Sequence, residues 1–416
     1  MKRSIHLLLK LLPYAVLVFF IANIFYLRWP DFFLVGTAHG RVGYDFYSVP
    51  RSFINLQHHK SIFNTPFAYW YGPYASDFLY HPAVAIAVGW LSFFKPKIAF
   101  ALFVIIISVL LLWIGNTWRK YFIKQRQKDA VVIFVCCSLP VYLVMWNAQM
   151  HIFTIISVVL IVTALIDIFS GINSSHKLAA GILISLLSKP IIILFIPLLI
   201  LLKETRRTTV IALIIYIAVS CCFLFIPYLN PEGNNILHWK NILLQSASVE
   251  RANPEIFSLS VTLSHLLKQN IHPFIFQLTI LLILALSLQL LFVKDYEQRL
   301  NISLAVLLAL LCSYYIAYTL VWEYHYTTIM ALMPCFLILK NRLTGYNRRL
   351  LNFVLICGCL LYLPTTFFID STPVKFSLLL MRLCKVLPVL LMFIGLSAYL
   401  VLQAKNHLLI YKNRVQ

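Results

Sequence analysis

The sequence predicts an all-α polytopic membrane protein of about 12 transmembrane helices, with a long outer first loop carrying interfacial helices. Three observations carry that expectation. Apolar residues make up 61% of the 416 positions and charged residues only 11%, against about 25% charged in soluble domains. Apolar runs approaching the ~20 residues that a bilayer demands recur along the chain. Lys and Arg outnumber Asp and Glu by 34 to 13, yet they fall in short loops between those runs, the pattern that orients membrane proteins. The formal charge of +21 therefore does not point to nucleic acid, which would require a continuous basic face with exposed aromatics. No polar stretch is long enough to fold alone. Residues 1–416 read as one integral membrane domain with outer loops at 29–97 and 229–273.

The elements follow in order. Met1-Lys2-Arg3 precedes an apolar segment at 11–28. Arg28-Trp29-Pro30-Asp31 offers no small-residue cleavage site, so this segment reads as a retained signal anchor with a cytoplasmic N-terminus. The apolar stretch 82–94 is short for a crossing and is expected to lie along the interface or dip into it. Spans are expected at 98–115, 130–146 and 152–170. Arg119, Lys120, Lys124, Arg126 and Lys128 lie between the first two and place that loop in the cytoplasm. Lys189-Pro190 interrupts the apolar run 179–202, and Lys203, Arg206 and Arg207 follow it. Two short helices meeting at Ser188-Lys189-Pro190 keep those charges inside. The proline favours the break, because it removes a backbone donor and disfavours helix just before it. Further spans are expected at 210–228, 274–293, 302–320, 327–340, 350–368 and 376–403, leaving both termini cytoplasmic. All nine cysteines lie in apolar segments, where thiols behave as small hydrophobes. Neither a disulfide nor a thiolate metal site is expected.

Polar chemistry collects on the outer side of this topology, while the span centres hold almost no carboxylates. A coupled transporter would place ionisable groups near mid-bilayer. Signatures for nucleotide binding, zinc hydrolysis and dinucleotide binding are missing. The first candidate is Asp45, among Tyr44, Phe46 and Tyr47. A carboxylate there can take the proton of an acceptor hydroxyl, and partial desolvation would raise its basicity; alternatively it caps the helix that begins near Phe46. Lys189, flanked by apolar runs, either holds a phosphate at a helix break or snorkels to the interface. Asn147, Gln149 and His151 in the turn after Trp146 suit sugar hydroxyls, or form a plain polar turn. Trp322, Glu323, Tyr324 and His325 combine a stacking surface with a phosphate donor, or belong to an aromatic belt. Tyr69-Trp70-Tyr71 and Tyr80-His81-Pro82 wall a groove or anchor the first loop. Arg41, Arg51, His58 and His59 in that loop can help to neutralise phosphate.

Taken in order, Tyr44-Asp45-Phe46-Tyr47, Tyr80-His81-Pro82, Asn147-Ala148-Gln149, Lys189-Pro190 and Trp322-Glu323-Tyr324-His325-Tyr326 resemble glycosyltransferase family 87. That is the polyprenyl-phosphate-mannose-dependent α-mannosyltransferase type within the GT-C superfamily. The resemblance runs through residues 10–340. This chain has Tyr80-His81-Pro82 where the family more often has Tyr-Pro-Pro. It has Ala148-Gln149-Met150-His151 where Gly-Gln-x-Asn is usual, and His325 where a pair of histidines is usual. The resemblance implies a GT-C-like bundle with its active site on the outer, periplasmic face of an inner membrane. It implies Asp45 as general base, with Lys189 and His325 as candidates for the donor phosphate; Arg51 of the first loop is a further candidate for it. Tyr44, Tyr47, Tyr71, Tyr80, His81, Asn147, Gln149, His151, Trp322, Glu323 and Tyr324 are candidates for the sugar or acceptor. The expected donor is a polyprenyl-phosphate monosaccharide such as mannose, transferred with inversion to a glycan or glycolipid without cofactor or obligatory metal. A flippase or transporter for lipid-linked saccharides, and a polysaccharide polymerase or ligase, are the alternative readings.

Overall fold

The computed structural model describes residues 2–27, 42–63, 71–73, 78–233, 235, 237–238, 257–269, 274–318, 321, 323–362 and 374–415. Every regular element among them is helical. Among the described residues, six helices are long and apolar enough to cross a membrane: Leu8–Tyr26, Pro96–Arg119, His151–Phe169, Lys203–Phe225, Tyr296–Ala317 and Arg382–His407. A seventh arises if helices Gln125–Cys136 and Leu139–Trp146, bent by 47°, form one crossing. Several of the expected apolar runs do not form one straight helix among the described residues.

The breaks have local causes. The run 130–146, expected as a single span, divides at Cys137-Ser138. Pro140 cannot donate to the preceding turn, and the Ser138 hydroxyl instead accepts the Val141 N–H at 3.3 Å, starting a new helix. The run 327–340 likewise divides at Leu332, with Pro334 in the first turn of helix Met333–Arg342. The run 179–202 breaks where the sequence indicates: helix Ser175–Leu186 ends, residues 187–190 are non-helical, and a 3-10 turn Ile191–Leu194 leads into helix Ile196–Leu201. The stretch 82–94 forms helix Pro82–Gly89 and a 3-10 turn Trp90–Phe93. At about 1.5 Å per residue it reaches roughly 18 Å, short of the ~30 Å hydrocarbon core.

The chain divides into two compact units. The first comprises Met1–Ser157, Gly181–Ile191 and Ile211–Ala252. In it, helix Lys2–Ala22 and helix Pro96–Arg119 both pack on helix Gln125–Cys136, and the short helix Ser48–Gln57 lies on Pro82–Gly89. Asn23, buried in the π-helical end of the first helix, donates to the Tyr142 hydroxyl at 2.9 Å. The second unit comprises Val158–Ala180, Ile192–Val210 and Asn253–Gln416. Its centre is helix Tyr296–Ala317, buried along almost its whole length and packed against Phe274–Ser287 and Val374–Val415. The middle of this helix, residues 304–311, is apolar on every side, as such a position favours. All nine cysteines are free thiols.

Near the start of that central helix Arg299 makes a paired contact with Glu204, at 2.5 and 2.9 Å, and its guanidinium lies 5.7 Å from the Phe169 ring centre. Both side chains are mostly buried. Removing one partner strands the other in an apolar setting, at a cost of about 3–5 kcal/mol. Glu204→Gln is therefore expected to lower the thermal unfolding midpoint of the detergent-purified protein clearly. An unchanged midpoint would show that the pair is solvated.

Candidate functional site

The site in the first unit is built around the end of helix Leu139–Trp146. Asn147, Ala148 and Gln149 donate their N–H groups to the carbonyls of Leu143, Met145 and Val144 at 3.1, 3.1 and 2.9 Å. This is a reversed-turn cap, and it requires a left-handed residue at position 148. Ala148 supplies it, with φ of +44°. The remaining carbonyl, that of Trp146, accepts the Gly43 N–H at 2.9 Å. Gly43 has φ of +76°, and a Cβ there would lie 2.8 Å from the Phe100 ring. Only glycine fits that approach.

Asp45 follows two residues later. On its other side Phe46 is fully buried, with its ring centre 5.9 Å from that of Phe100 and 5.3 Å from that of Phe103. The half-buried Asp45 is thus fixed from both flanks. It is not the residue at the cap of the following helix: Ser48–Gln57 has Tyr47 at that position. The Asp45 carbonyl accepts the Ser48 hydroxyl at 2.8 Å, and its carboxylate accepts a hydrogen bond from the Gln149 amide.

Gln149 is buried, and its carbonyl oxygen accepts the Tyr80 hydroxyl at 3.4 Å. The face of Tyr80 lies 5.7 Å from the Lys189 Nζ. Lys189 stands in the non-helical break, outside the spanning helices. Burial lowers its pKa to about 8, while the negative charge of Asp45 pulls it back up. Asp45, Gln149, Tyr80 and Lys189 therefore form one connected group.

Two segments hold Tyr80 and Lys189 together. The His81 N–H donates to the Ser188 carbonyl at 3.5 Å, and the Ser185 hydroxyl donates to the Lys189 carbonyl at 2.8 Å. The His81 ring is occupied locally: Nδ1 accepts the Ala83 N–H at 3.1 Å, starting helix Pro82–Gly89. That leaves the proton on Nε2, which donates to the Ser220 hydroxyl at 3.2 Å. Burial holds His81 at a pKa of about 4, so it is neutral near pH 7.

The other expected residues have varied placements. Tyr71 donates to the carbonyls of Leu91 and Phe94 at 3.2 and 2.8 Å, and Tyr47 packs between the rings of Tyr71 and Phe100. Tyr44 and Asn147 are half-buried, whereas Arg51 and His151 are buried. In the second unit, His325 lies on a 3-10 turn Glu323–Tyr326, its ring 4.5 Å from that of buried Tyr324 and its carbonyl accepting the Tyr315 hydroxyl at 2.7 Å. Trp322, Arg41, Tyr69 and Trp70 lie outside the described residues, as does the side chain of Glu323. The sequence reading did not find the roles of Gly43 and Tyr80. A glycine two residues before an acid was the available signal for Gly43; no local signal joins Tyr80 to Gln149.

A family model described as glycosyltransferase family 87 matches residues 78–314, more than half of the chain. The match includes Tyr80, Gln149 and Lys189 but neither Asp45 nor His325. No curated protein and no solved structure matches the chain.

The backbone argument gives two opposite expectations. A non-glycine residue held in the left-handed region costs about 1 kcal/mol or more. Ala148→Gly should therefore raise the thermal midpoint, while Gly43→Ala, which drives a methyl group into Phe100, should lower it. Equal midpoints for the two variants would mean that neither turn is formed as described.

Proposed function

The chain belongs to glycosyltransferase family 87, and on that premise we propose that it transfers a monosaccharide, with mannose favoured, from a polyprenyl-phosphate-sugar donor to a glycan or glycolipid acceptor. The proposed reaction is a single inverting displacement. The acceptor hydroxyl oxygen attacks the anomeric carbon as its proton passes to the Asp45 carboxylate. The bond from that carbon to the carrier phosphate breaks, and the electron pair leaves with the phosphate. Lys189 stabilises the charge that gathers on the leaving phosphate, an effect that grows where water is excluded. Buried Arg51, in the same unit, is a second candidate for that phosphate.

The observation that carries this reading is the connected group itself: a carboxylate held by an amide, with a half-buried lysine over the aromatic ring that holds the amide. A base and a phosphate-binding cation are the two functions an inverting transfer from a lipid phosphate needs. The proposed setting is a GT-C-like bundle of about 12 crossings, with both termini cytoplasmic and this site on the outer face of the inner membrane. The basic loop from Arg119 to Lys128 and the charges Lys203, Arg206 and Arg207 support that orientation.

The test uses purified protein, a labelled panel of polyprenyl-phosphate sugars and a membrane extract as the source of acceptor. Wild type is expected to transfer sugar from one member of the panel, and monodisperse Asp45→Asn should be slower by about 10²–10⁴-fold. Equal rates would remove Asp45 as the base. No transfer from any donor would favour the flippase or polymerase readings.

A pH series addresses Lys189. Its proton is lost at lower pH than that of an exposed lysine, so transfer measured well below donor saturation should fall as the pH rises through about 8. Lys189→Arg keeps its charge above pH 12 and should abolish that alkaline limb, even if its geometry lowers the overall rate. An alkaline limb unchanged in Lys189→Arg would place its origin in another group.

A further inference from the structure

We infer that Gln149 and Tyr80 are a positioning pair that aims the Asp45 carboxylate, and that neither acts as a contact to the transferred sugar. This rests on the reading of Asp45 as base and goes one step further: it says what fixes that base in space.

The geometry is specific. Gln149 is 1% exposed and Tyr80 is 5% exposed, so both side chains are largely withdrawn from anything that binds at the site. The two ends of the Gln149 amide are both engaged, the amino group by Asp45 and the carbonyl oxygen by Tyr80. A carboxylate only accepts hydrogen bonds, so the amide must present its NH₂ to Asp45. With the amide turned over, its oxygen would face the carboxylate and repel it. The Tyr80 hydroxyl, donating to the amide oxygen, selects the productive orientation. Tyr80 is held in turn by the bond from the His81 N–H to Ser188, and the Gln149 backbone by the cap on Val144. A base fixed through this chain loses little freedom when the acceptor arrives. Misplacement by about 1 Å can cost some 10²-fold in rate.

Among the described residues, Lys189 and Tyr80 both feel the charge of Asp45, and Tyr44 and Tyr47 adjoin it in the chain. Placing a second carboxylate at position 149 sets two acids side by side. Such a pair shares a proton, and its apparent pKa rises.

The experiment measures initial rates against donor concentration and pH, with labelled polyprenyl-phosphate mannose and the full-length protein. The variants are Asp45→Asn, Gln149→Leu, Gln149→Glu and Tyr80→Phe, each checked for monodispersity. Gln149→Leu and Tyr80→Phe should lower kcat by about 10–100-fold with KM for the donor nearly unchanged. Gln149→Glu should move the acid limb of the rate profile to higher pH. A raised donor KM with kcat retained, or an acid limb unmoved in Gln149→Glu, would make Gln149 a sugar contact and overturn the inference. Tyr80→Phe keeps the ring beside Lys189 and removes only the hydroxyl, so it decides alone if the Gln149 variants do not fold; wild-type kcat in it would overturn the pair. Transfer retained in Asp45→Asn would refute the base itself. Loss there, with Gln149 and Tyr80 variants at wild-type rates, would refute only the positioning pair.

Discussion

The site depends on how one helix stops in an apolar environment. A helix end leaves its last four carbonyls without partners, and inside a membrane protein water cannot supply them cheaply. At the end of helix Leu139–Trp146 each of those carbonyls is satisfied: Leu143 by Asn147, Val144 by Gln149, Met145 by Ala148 and Trp146 by Gly43. Three of the bonds are local and turn the chain so that Gln149 points inward. The fourth is remote, and it draws the Gly43–Asp45 segment onto the same helix end. The requirement to satisfy one carbonyl is thus also what sets the carboxylate beside its amide.

The break at residues 187–190 obeys the same rule. The Ser188 hydroxyl donates to the Ile184 carbonyl at 2.6 Å, and the Lys189 carbonyl accepts both the Ser185 hydroxyl and the Ile191 N–H. The Ser188 carbonyl takes the His81 N–H. Both of these helix ends are therefore cross-linked to the first loop by a main-chain bond. Asp45 and Lys189 sit two residues and one residue from those links. That spacing converts backbone satisfaction into side-chain placement.

What the sequence made legible follows from range. The break at Lys189-Pro190 and the short helix after His81 are written in local signals: proline, a charge within an apolar run, and length. Asp45 and Lys189 stood out because ionisable groups are rare in this chain. The divisions at Ser138 and Leu332 also have a local signal, Ser-x-Pro in the first case and Pro334 in the second, but the apolar composition on either side masks it. The contact from Gln149 to Asp45 crosses 104 positions and that from Tyr80 to Gln149 crosses 69. Neither is encoded in any motif, since each is a product of packing. For the same reason His81 read as a ligand for substrate, when its two ring nitrogens serve Ala83 and Ser220.

Lys189 shows why a charge is retained where an apolar residue would be cheaper. A lysine at the centre of an apolar helix costs about 2.5–3.5 kcal/mol on insertion scales. Here the cost is reduced by the face of Tyr80, which attracts a cation, and by the charge of Asp45. Neither removes it, as the lowered pKa records. A fold under no other demand would replace such a group by a hydrophobe of similar size at no loss. In the proposed reaction the remaining deficit has a use. An arriving lipid phosphate supplies the negative charge that the half-buried ammonium lacks, so donor binding secures the proton on Lys189. The same cation then faces the phosphate as it departs, when its charge is greatest. Incomplete compensation by the protein's own groups is what allows the lysine to interact more strongly with the leaving group than with anything in the protein.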